Sequence, residues 1–327
     1  MAETLELKPE SRQQMRGRIA VVVATYKRPA IVERMVGSLA TESEVSVICI
    51  VDNGSEPELK PLLEKLDSRV RYIDAGSNLG CGGGLARGFS EALKDKSITH
   101  IWIVDDDAVI VSGCARRLLK AMEQAGAEVG VPLISGPDGK INSFPGPLKA
   151  PAWQQIRKAI TPEQFVAACG NGPWDFTWAP GVCVLVTRRT AEEIGGPRAD
   201  YWLMGEDVEY TCRLTARYRA ILAPEARAMH LQPPPQQSQT KEILRRYNFV
   251  KFCAFLTNTT YTSINFSHGR RLIKHLPGNY LRFMRNYGWT FSNARRAFQC
   301  FLWGGICRLP AGSSAFQKFK ANYLEHG

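Results

Sequence analysis

The 327-residue sequence contains no CxxC pair. Its nine cysteines, at 49, 81, 114, 169, 183, 212, 253, 300 and 307, are odd in number and scattered. That pattern argues against a zinc site and a disulfide scaffold, and for free thiols in a reducing compartment. No stretch reaches the roughly 18 uninterrupted apolar residues of a spanning helix. The opening MAETLELKPESRQQMRGR lacks the apolar core of a secretory signal. Both absences predict a cytoplasmic protein. Acids are nearly missing from the last quarter: residues 241–327 hold 14 Lys and Arg but only Glu242 and Glu325. This segment therefore carries +12, against −1 for residues 1–240 and +11 for the whole chain. Such asymmetry marks a tail with a partner of its own. The remaining composition, 44% hydrophobic and 22% charged, is that of a globular protein with one large domain or two modest ones.

The apolar runs that are present are short, and each ends in polar residues. Ile19–Ala24 ends at Thr25-Tyr26-Lys27-Arg28-Pro29, where the proline suits the first turn of a helix bearing Ile31, Met35, Val36 and Leu39. Val45–Val51 ends at Asp52-Asn53-Gly54-Ser55, and a helix over Glu58–Leu66 and a strand over Val70–Ile73 follow. Ile101–Val104 ends at Asp105-Asp106-Asp107. Strands alternating with helices predict a parallel sheet covered on both faces. Ligands bind such sheets beyond the carboxyl ends of the strands, where these three polar clusters converge. Three adjacent carboxylates raise one another's pKa and call for a cation, and Mg²⁺ or Mn²⁺ suits such oxygens. A solvated acidic turn is the plainer alternative.

Between the third strand and the aspartates lies a glycine-rich stretch, Gly76 to Gly88. It lacks both the GxGxxG dinucleotide fingerprint and the GK[ST] of a P-loop. It reads either as a connector or as backbone able to approach an anion at the start of a helix through Ala92 and Leu93. A helix near Ala115–Gln124 and a strand over Val129–Ser135 follow. Residues 136–178, rich in Pro, Gly and Trp, show little periodicity, as functional or mobile segments do. Trp178, before a strand over Val182–Val186, fits a sugar-stacking platform or a core residue. Glu206 and Asp207 open a helix, either as acids complementing its dipole or as a general base. His230 ends a strand-like region, as a structural residue or a metal ligand.

Taken in order, Ala24–Pro29, Val51–Ser55, Asn78-Leu79-Gly80, Asp105-Asp106-Asp107, Glu206-Asp207 and His230 resemble the motifs of family 2 glycosyltransferases, from about Ile19 to Tyr247. Within that family the Asn-Leu-Gly, the glycines after it and Asp-Asp-Asp-Ala look most like bacterial galactofuranosyltransferases, with rhamnosyltransferases the near neighbours. Cys81, Leu85 and Gly205 depart from the galactofuranosyl pattern, which bears on the sugar rather than the reaction. The resemblance implies an α/β fold of the GT-A kind, a Rossmann-like, mostly parallel sheet flanked by helices with a basic helical C-terminal extension. It implies a tail over 1–18, a catalytic domain over 19–235 and the basic aromatic region over 236–327. It further implies an inverting, metal-dependent enzyme moving a sugar from a nucleotide-sugar, a UDP-sugar such as UDP-galactofuranose foremost, to a hydroxyl of a glycan or lipid-linked acceptor in cell-surface polysaccharide synthesis. A dTDP-rhamnose donor and a non-catalytic nucleotide-sugar-binding relative are the alternatives.

Residue by residue, the resemblance makes Asp105, Asp107 and His230 ligands of Mn²⁺ or Mg²⁺. Asp207 becomes the base, with Glu206 beside it. Thr25, Arg28, Asp52, Asn53, Asn78, Gly83, Arg87, Asp105, Asp106 and Trp178 are placed at the donor. Alternation on an extended segment points Asp106 away from its neighbours, which makes it the least costly of the three to replace.

After Pro233–Pro235, Lys241–Leu256 reads as an amphipathic helix carrying Arg245-Arg246-Tyr247-Asn248. Tyr280–Trp289 and Arg295–Trp303 interleave aromatics with arginines, the composition of helices lying on anionic membranes. This predicts a peripheral location on the inner face of the plasma membrane. A helical oligomerisation module, giving a homo-oligomer, is the competing reading. No nucleic-acid-binding signature accompanies the charge, so no nucleic acid partner is expected.

Overall fold

A computed structural model describes residues 18–54, 59–152, 160–231, 241–266 and 276–305. Residues 1–17 of the expected tail, Ser55, Glu58, Pro233–Pro235 and the side chains of Arg245–Asn248 and Trp303 lie outside the described residues.

The first half follows the predicted alternation. Strands β1 (Ile19–Thr25), β2 (Val45–Asp52), β3 (Val70–Asp74) and β4 (His100–Val104) lie parallel in the order β3-β2-β1-β4. Helices α1 (Pro29–Leu39), α2 (Leu59–Leu66) and α3 (Gly80–Ala92) connect them. Alternate residues of β1 explain why its sequence is continuously apolar. Ile19, Val21 and Val23 pack with Met35 and Leu39 of α1, while Ala20 and Val22 pack on the other face with Leu85 and Phe89 of α3. In-register pairing sets Thr25 opposite Asp52 and Asp52 opposite Asp74, so polar strand ends form one row.

Beyond β4 the sheet is mixed rather than parallel. Strands β5 (Ala108–Ile110), β6 (Val129–Ser135), β7 (Ile141–Ser143), β8 (Trp174–Asp175), β9 (Cys183–Thr187) and β10 (Ala220–His230) complete it, with helices α4 (Cys114–Ala125), α5 (Pro162–Cys169), α6 (Arg188–Ile194) and α7 (Glu206–Thr215). β9 lies between β4 and β6, antiparallel to both, and β5 is antiparallel to β10. A short βαβ connection forces neighbours parallel. The long excursion from β6 to β9 imposes no such direction, so β9 enters from the opposite end. The stretch expected to be irregular carries β7, β8 and α5, the last closed by a capping box from Thr161 and Gln164.

Glu42, fully buried after α1, accepts hydrogen bonds from the amides of Gly113 (2.6 Å) and Ala115 (2.7 Å). It thereby satisfies orphan donors at the start of α4 and draws the chain after β5 onto the first half of the sheet.

Helices α8 (Lys241–Asn265), α9 (Leu276–Tyr287) and α10 (Phe291–Gly305) form the C-terminal layer around Cys253, Leu256, Phe283, Ala297 and Cys300. α8 is longer than expected, and its described part is not amphipathic. Thr257, Asn258, Thr260, Thr262 and Ser263 are all buried. The Thr257 and Thr260 hydroxyls donate to the carbonyls of Cys253 (3.0 Å) and Leu256 (2.7 Å), which satisfies them locally.

Candidate active site

The polar strand ends meet as the alternation predicts. Asp105 and Asp107 leave β4 and are joined by His230 from the end of β10, whose antiparallel pairing with β5 sets His230 opposite Ala108. One ligand-type atom from each of the three lies within 4.8 Å of the other two. His230 Nε2 is 3.1 Å from Asp107 Oδ1. Burial and the neighbouring charges of Asp107 and Asp106 push the Asp105 carboxyl well above its ordinary range. Burial would raise Asp107 too, but the hydrogen bond and charge of His230, with Arg28, outweigh it and hold that carboxyl low. Burial lowers His230, but the hydrogen bond that it donates to Asp107, with the charges of Asp107 and Asp105, leaves its pKa raised. Two carboxylates and an imidazole form a donor set that suits Mn²⁺ or Mg²⁺, and the repulsion on Asp105 is what a cation would relieve. The residues fit a divalent ion.

Asp106 is turned from this cluster, yet it is not idle. Its two oxygens accept from Thr25 Oγ1 (2.8 Å) and Arg28 Nη1 (3.0 Å), and Arg28 also reaches Asp107 (3.3 Å). Asp106 thus locks the β1 end to the β4 end. The expectation that its loss matters least gives way to that of a buried carboxylate whose removal strands two donors.

Several residues expected at the donor are tied to neighbouring groups of the chain. Asp52 accepts from Tyr72 Oη (2.6 Å) and the Gly54 amide (3.1 Å). Asn53 donates to the Gly80 carbonyl (3.3 Å) and accepts from the Leu79 amide (3.1 Å). Asn78 accepts from the Gly80 amide (2.9 Å), and Arg87 donates to the Ala75 carbonyl (3.1 Å). Together they fix the loop that opens α3. Gly83 lies buried within α3, where a Cβ would meet Leu79 Cβ at 2.8 Å. The glycines of α3 serve close packing rather than an open cradle. A Cβ on Gly84 would stand 2.8 Å from Ala24 Cβ, and one on Gly88 2.7 Å from Val22. Trp178, half-buried, packs its ring against Gly146 and shares a β-bridge with it.

Glu206 and Asp207 open α7 and face Asp105, just past β4, across a small cavity of about 60 Å³. Cys81, Leu85, Ile103, Asp105, Glu206, Asp207 and Tyr210 are among the residues lining it. The two acids are not equivalent. Burial, and then the Asp207 charge, pushes Glu206 up to about 7 despite a hydrogen bond from the Cys81 thiol, and its Oε2 is buried without a hydrogen-bond partner. Burial also raises Asp207, but its Oδ2 accepts from the Gly181 amide (2.9 Å) and its Oδ1 from the Val208 amide (2.8 Å), which oppose the rise.

Sequence reasoning missed four residues here. Tyr72 and Cys81 carry no motif signal. Gly181 makes room for Asp207, since a Cβ there would lie 2.6 Å from Asp207 Cβ. Asn258 of α8 donates through Nδ2 to the carbonyls of Tyr201 (3.1 Å), Leu203 (3.1 Å) and Met204 (2.7 Å). That loop leads directly into Glu206, and Trp202 (φ 37°) and Met204 (φ 67°) sit in the left-handed region. Non-glycine residues there cost about 1–3 kcal/mol each and persist only when the surroundings hold them.

The model of the glycosyl transferase family 2 matches residues 20–172. An N-acetylglucosaminyl-diphospho-decaprenol L-rhamnosyltransferase of Mycobacterium tuberculosis is 28% identical over 236 residues, covering 65% of this chain and 75% of that protein. A low-salt glycan biosynthesis hexosyltransferase of Haloferax volcanii is 24% identical over 229 residues, 69% of this chain and 71% of that one. Among solved structures, S. aureus TarS 1–349 shares the fold, with a TM-score of 0.53 at 14% identity over 90% of this chain and 81% of that one. A structure of GalNAc-T7 with UDP, GalNAc and Mn²⁺ aligns with a TM-score of 0.49 at 15% identity, over 82% of this chain and 56% of that one. Residues 20–172 match the glycosyl transferase family 2 domain, the fold is a GT-A-like α/β one with a helical C-terminal extension, and the chain is a glycosyltransferase.

Proposed function

We propose that the chain transfers a hexose, with inversion, from a nucleotide-sugar to a hydroxyl of a glycan or lipid-linked acceptor in cell-surface polysaccharide synthesis, working peripherally at the inner face of the plasma membrane. The observation that carries this reading is the cavity where Asp105, from the β4 end, faces Glu206 and Asp207 at the start of α7. A donor-side acid and an acceptor-side acid there flank one space large enough for reacting atoms and little more.

Asp207 is the general base. The Gly181 and Val208 amides favour its charged form, whereas Glu206, pushed up to about 7, is about half protonated at neutral pH and mostly protonated below it. The acceptor O–H gives its proton to the Asp207 carboxylate as its oxygen attacks the anomeric carbon. The bond from that carbon to the diphosphate oxygen breaks on the opposite face, its electron pair leaves with the nucleoside diphosphate, and the configuration inverts. General-base assistance of this kind contributes about 10²–10⁴-fold. Asp105, Asp107 and His230 would hold Mn²⁺ or Mg²⁺, which when bound supplies positive charge for the departing diphosphate. Asp52 reads the uracil or thymine edge, with Thr25, Arg28 and Asp106 beside the nucleotide. Asn53, Asn78, Gly83 and Arg87 act by fixing the loop against which the donor lies, and Trp178 offers a face for a sugar.

The similarity to a rhamnosyltransferase favours a dTDP-rhamnose donor over the UDP-galactofuranose that the glycine and aspartate motifs suggest. A screen of UDP- and dTDP-sugars, reading nucleoside diphosphate release with and without Mn²⁺ or Mg²⁺, separates them. Release from dTDP-rhamnose alone fixes the rhamnosyl reading, and release from UDP-galactofuranose alone restores the other. Metal-independent release, or none from any donor with acceptor glycans present, refutes the proposal.

A further inference from the structure

The face of α10 turned away from the protein carries two phenylalanines, a leucine and an arginine. Asn293, Ala297, Cys300 and Gly304 turn inward, whereas Phe291, Arg295, Phe298 and Leu302 follow one another at helical spacing on the opposite side. Phe291 is 87% exposed and Phe298 60%. Trp289, just before the helix, is 68% exposed, and Phe301, also exposed, meets the Tyr280 ring of α9 edge-on at 6.2 Å. On α9, Leu281, Arg282 and Arg285 are exposed. Single exposed apolar residues are ordinary, but a run of aromatics on one helix face marks a surface that something covers.

Charge says what that something is. No Asp or Glu occurs between Glu242 and Glu325, so the α9–α10 layer has no acids to balance its arginines. The missing partner is therefore negative as well as apolar. A second copy of this chain would bring the same positive charge to the contact, which disfavours a symmetric dimer there. Nucleic acid supplies the negative charge but leaves a helical row of phenylalanines with no base-stacking groove to serve. An anionic bilayer satisfies both demands: aromatic side chains enter the headgroup–acyl boundary while arginines remain among the lipid phosphates. None of the described helices is long and apolar enough to cross a membrane, so the contact is one of lying on the surface.

We infer that Trp289, Phe291, Phe298 and Phe301, flanked by Arg282, Arg285 and Arg295, form a docking surface for anionic lipid. This names the surface behind the peripheral location proposed above and does not depend on which sugar is transferred. α8 links the surface to the chemistry, because α10 packs on α8 and Asn258 of α8 holds the loop leading into Glu206.

The test is cosedimentation of the full chain with vesicles of phosphatidylcholine containing about 30% phosphatidylglycerol, against phosphatidylcholine alone, over a salt series. Binding should require the anionic lipid and fall with salt. The double variant Phe291→Ser/Phe298→Ser should weaken it about tenfold or more, and Arg282→Gln/Arg285→Gln should flatten its salt dependence. All these positions are exposed, and release of nucleoside diphosphate from soluble donor should stay within twofold in both variants, which checks their fold. The inference is overturned if the wild type pellets no more with anionic vesicles than without, or if both variants bind as it does. It is equally overturned if the phenylalanine pair instead breaks a concentration-dependent dimer, or if oligonucleotides bind more tightly than vesicles at matched salt. Failed sedimentation with donor turnover intact removes the surface and leaves the transferase reading standing.

Discussion

The two ends of this molecule solve burial in opposite ways. In the β1–β4 half, apolar side chains fill both faces of the sheet, and polar residues are confined to the strand ends, where they pair across the row Thr25, Asp52, Asp106. In the C-terminal layer, threonine, asparagine and serine are buried in α8 while phenylalanine and tryptophan are exposed on and beside α10. The first arrangement builds a platform whose polar edge is the carboxyl end of the sheet. The second spends buried hydrogen bonds on steering a loop and leaves its apolar surface for a partner. The site lies where the two meet, with Asp105 and Asp107 at the end of β4, His230 at the end of β10, and Glu206 and Asp207 on a helix entered through a loop that α8 holds.

Each arrangement can be broken separately. Among changes that remove no reacting group, the largest effect is expected from Gly181→Ala, just before β9. The new methyl would stand 2.6 Å from Asp207 Cβ, so the carboxylate must move. Misplacement by about 1 Å costs on the order of 10²-fold in rate, and steady-state kinetics should show that fall in kcat with the donor KM little changed. Next is Asn258→Ala, on the helical side. It orphans three carbonyls of a left-handed loop, and a lost buried partner costs about 1–3 kcal/mol. A Tm lowered by several degrees should accompany a fall in kcat of about tenfold, smaller than that of Gly181→Ala because Asp207 keeps its own amide bonds. An unchanged kcat would mean that α8 supports the fold without steering the loop.

The smallest effect is one of stability against pH. Glu206 sits at about 7 in the folded chain against an ordinary 4.5. Between those values the native state holds a proton that the unfolded state has released. The carboxyl therefore contributes stability that is full below about pH 4.5 and is lost as pH rises through about 7. Glu206→Gln removes this term. Its Tm should vary less than that of the wild type between about pH 5 and pH 8, and should exceed the wild-type value at the upper end. A difference that grows toward low pH would contradict a raised carboxyl.

What was legible in the sequence was what depends on near neighbours. β1, β2 and β4 show as apolar runs, and their polar ends show as interruptions. Asp105, Asp107 and His230 show as chemistry out of place at strand ends. What was not legible depends on partners far along the chain. Nothing near Asn53 announces that it ties down Leu79 and Gly80, and nothing near Glu42 announces the amides of Gly113 and Ala115. The antiparallel entry of β9 escaped because strand–helix alternation fixes direction only across short crossovers. The glycines of α3 fit a connector or an anion-approaching backbone equally well in the sequence, and close approach of α3 to Ala24 and Val22 produces the same composition. Asn258 lies just past the Lys241–Leu256 helix expected from the sequence, and nothing near it announces the carbonyls of Tyr201, Leu203 and Met204.

The central claim is that Asp207 takes the acceptor proton. It is tested most directly by Asp207→Asn with the donor that the screen identifies, measuring transfer to acceptor and donor affinity on the same preparation. The account predicts a loss of transfer on the order of 10³-fold, within the range of general-base catalysis, with donor affinity and Tm close to wild type. Transfer that survives in Asp207→Asn and disappears in Glu206→Gln would contradict it and move the base one residue along the chain.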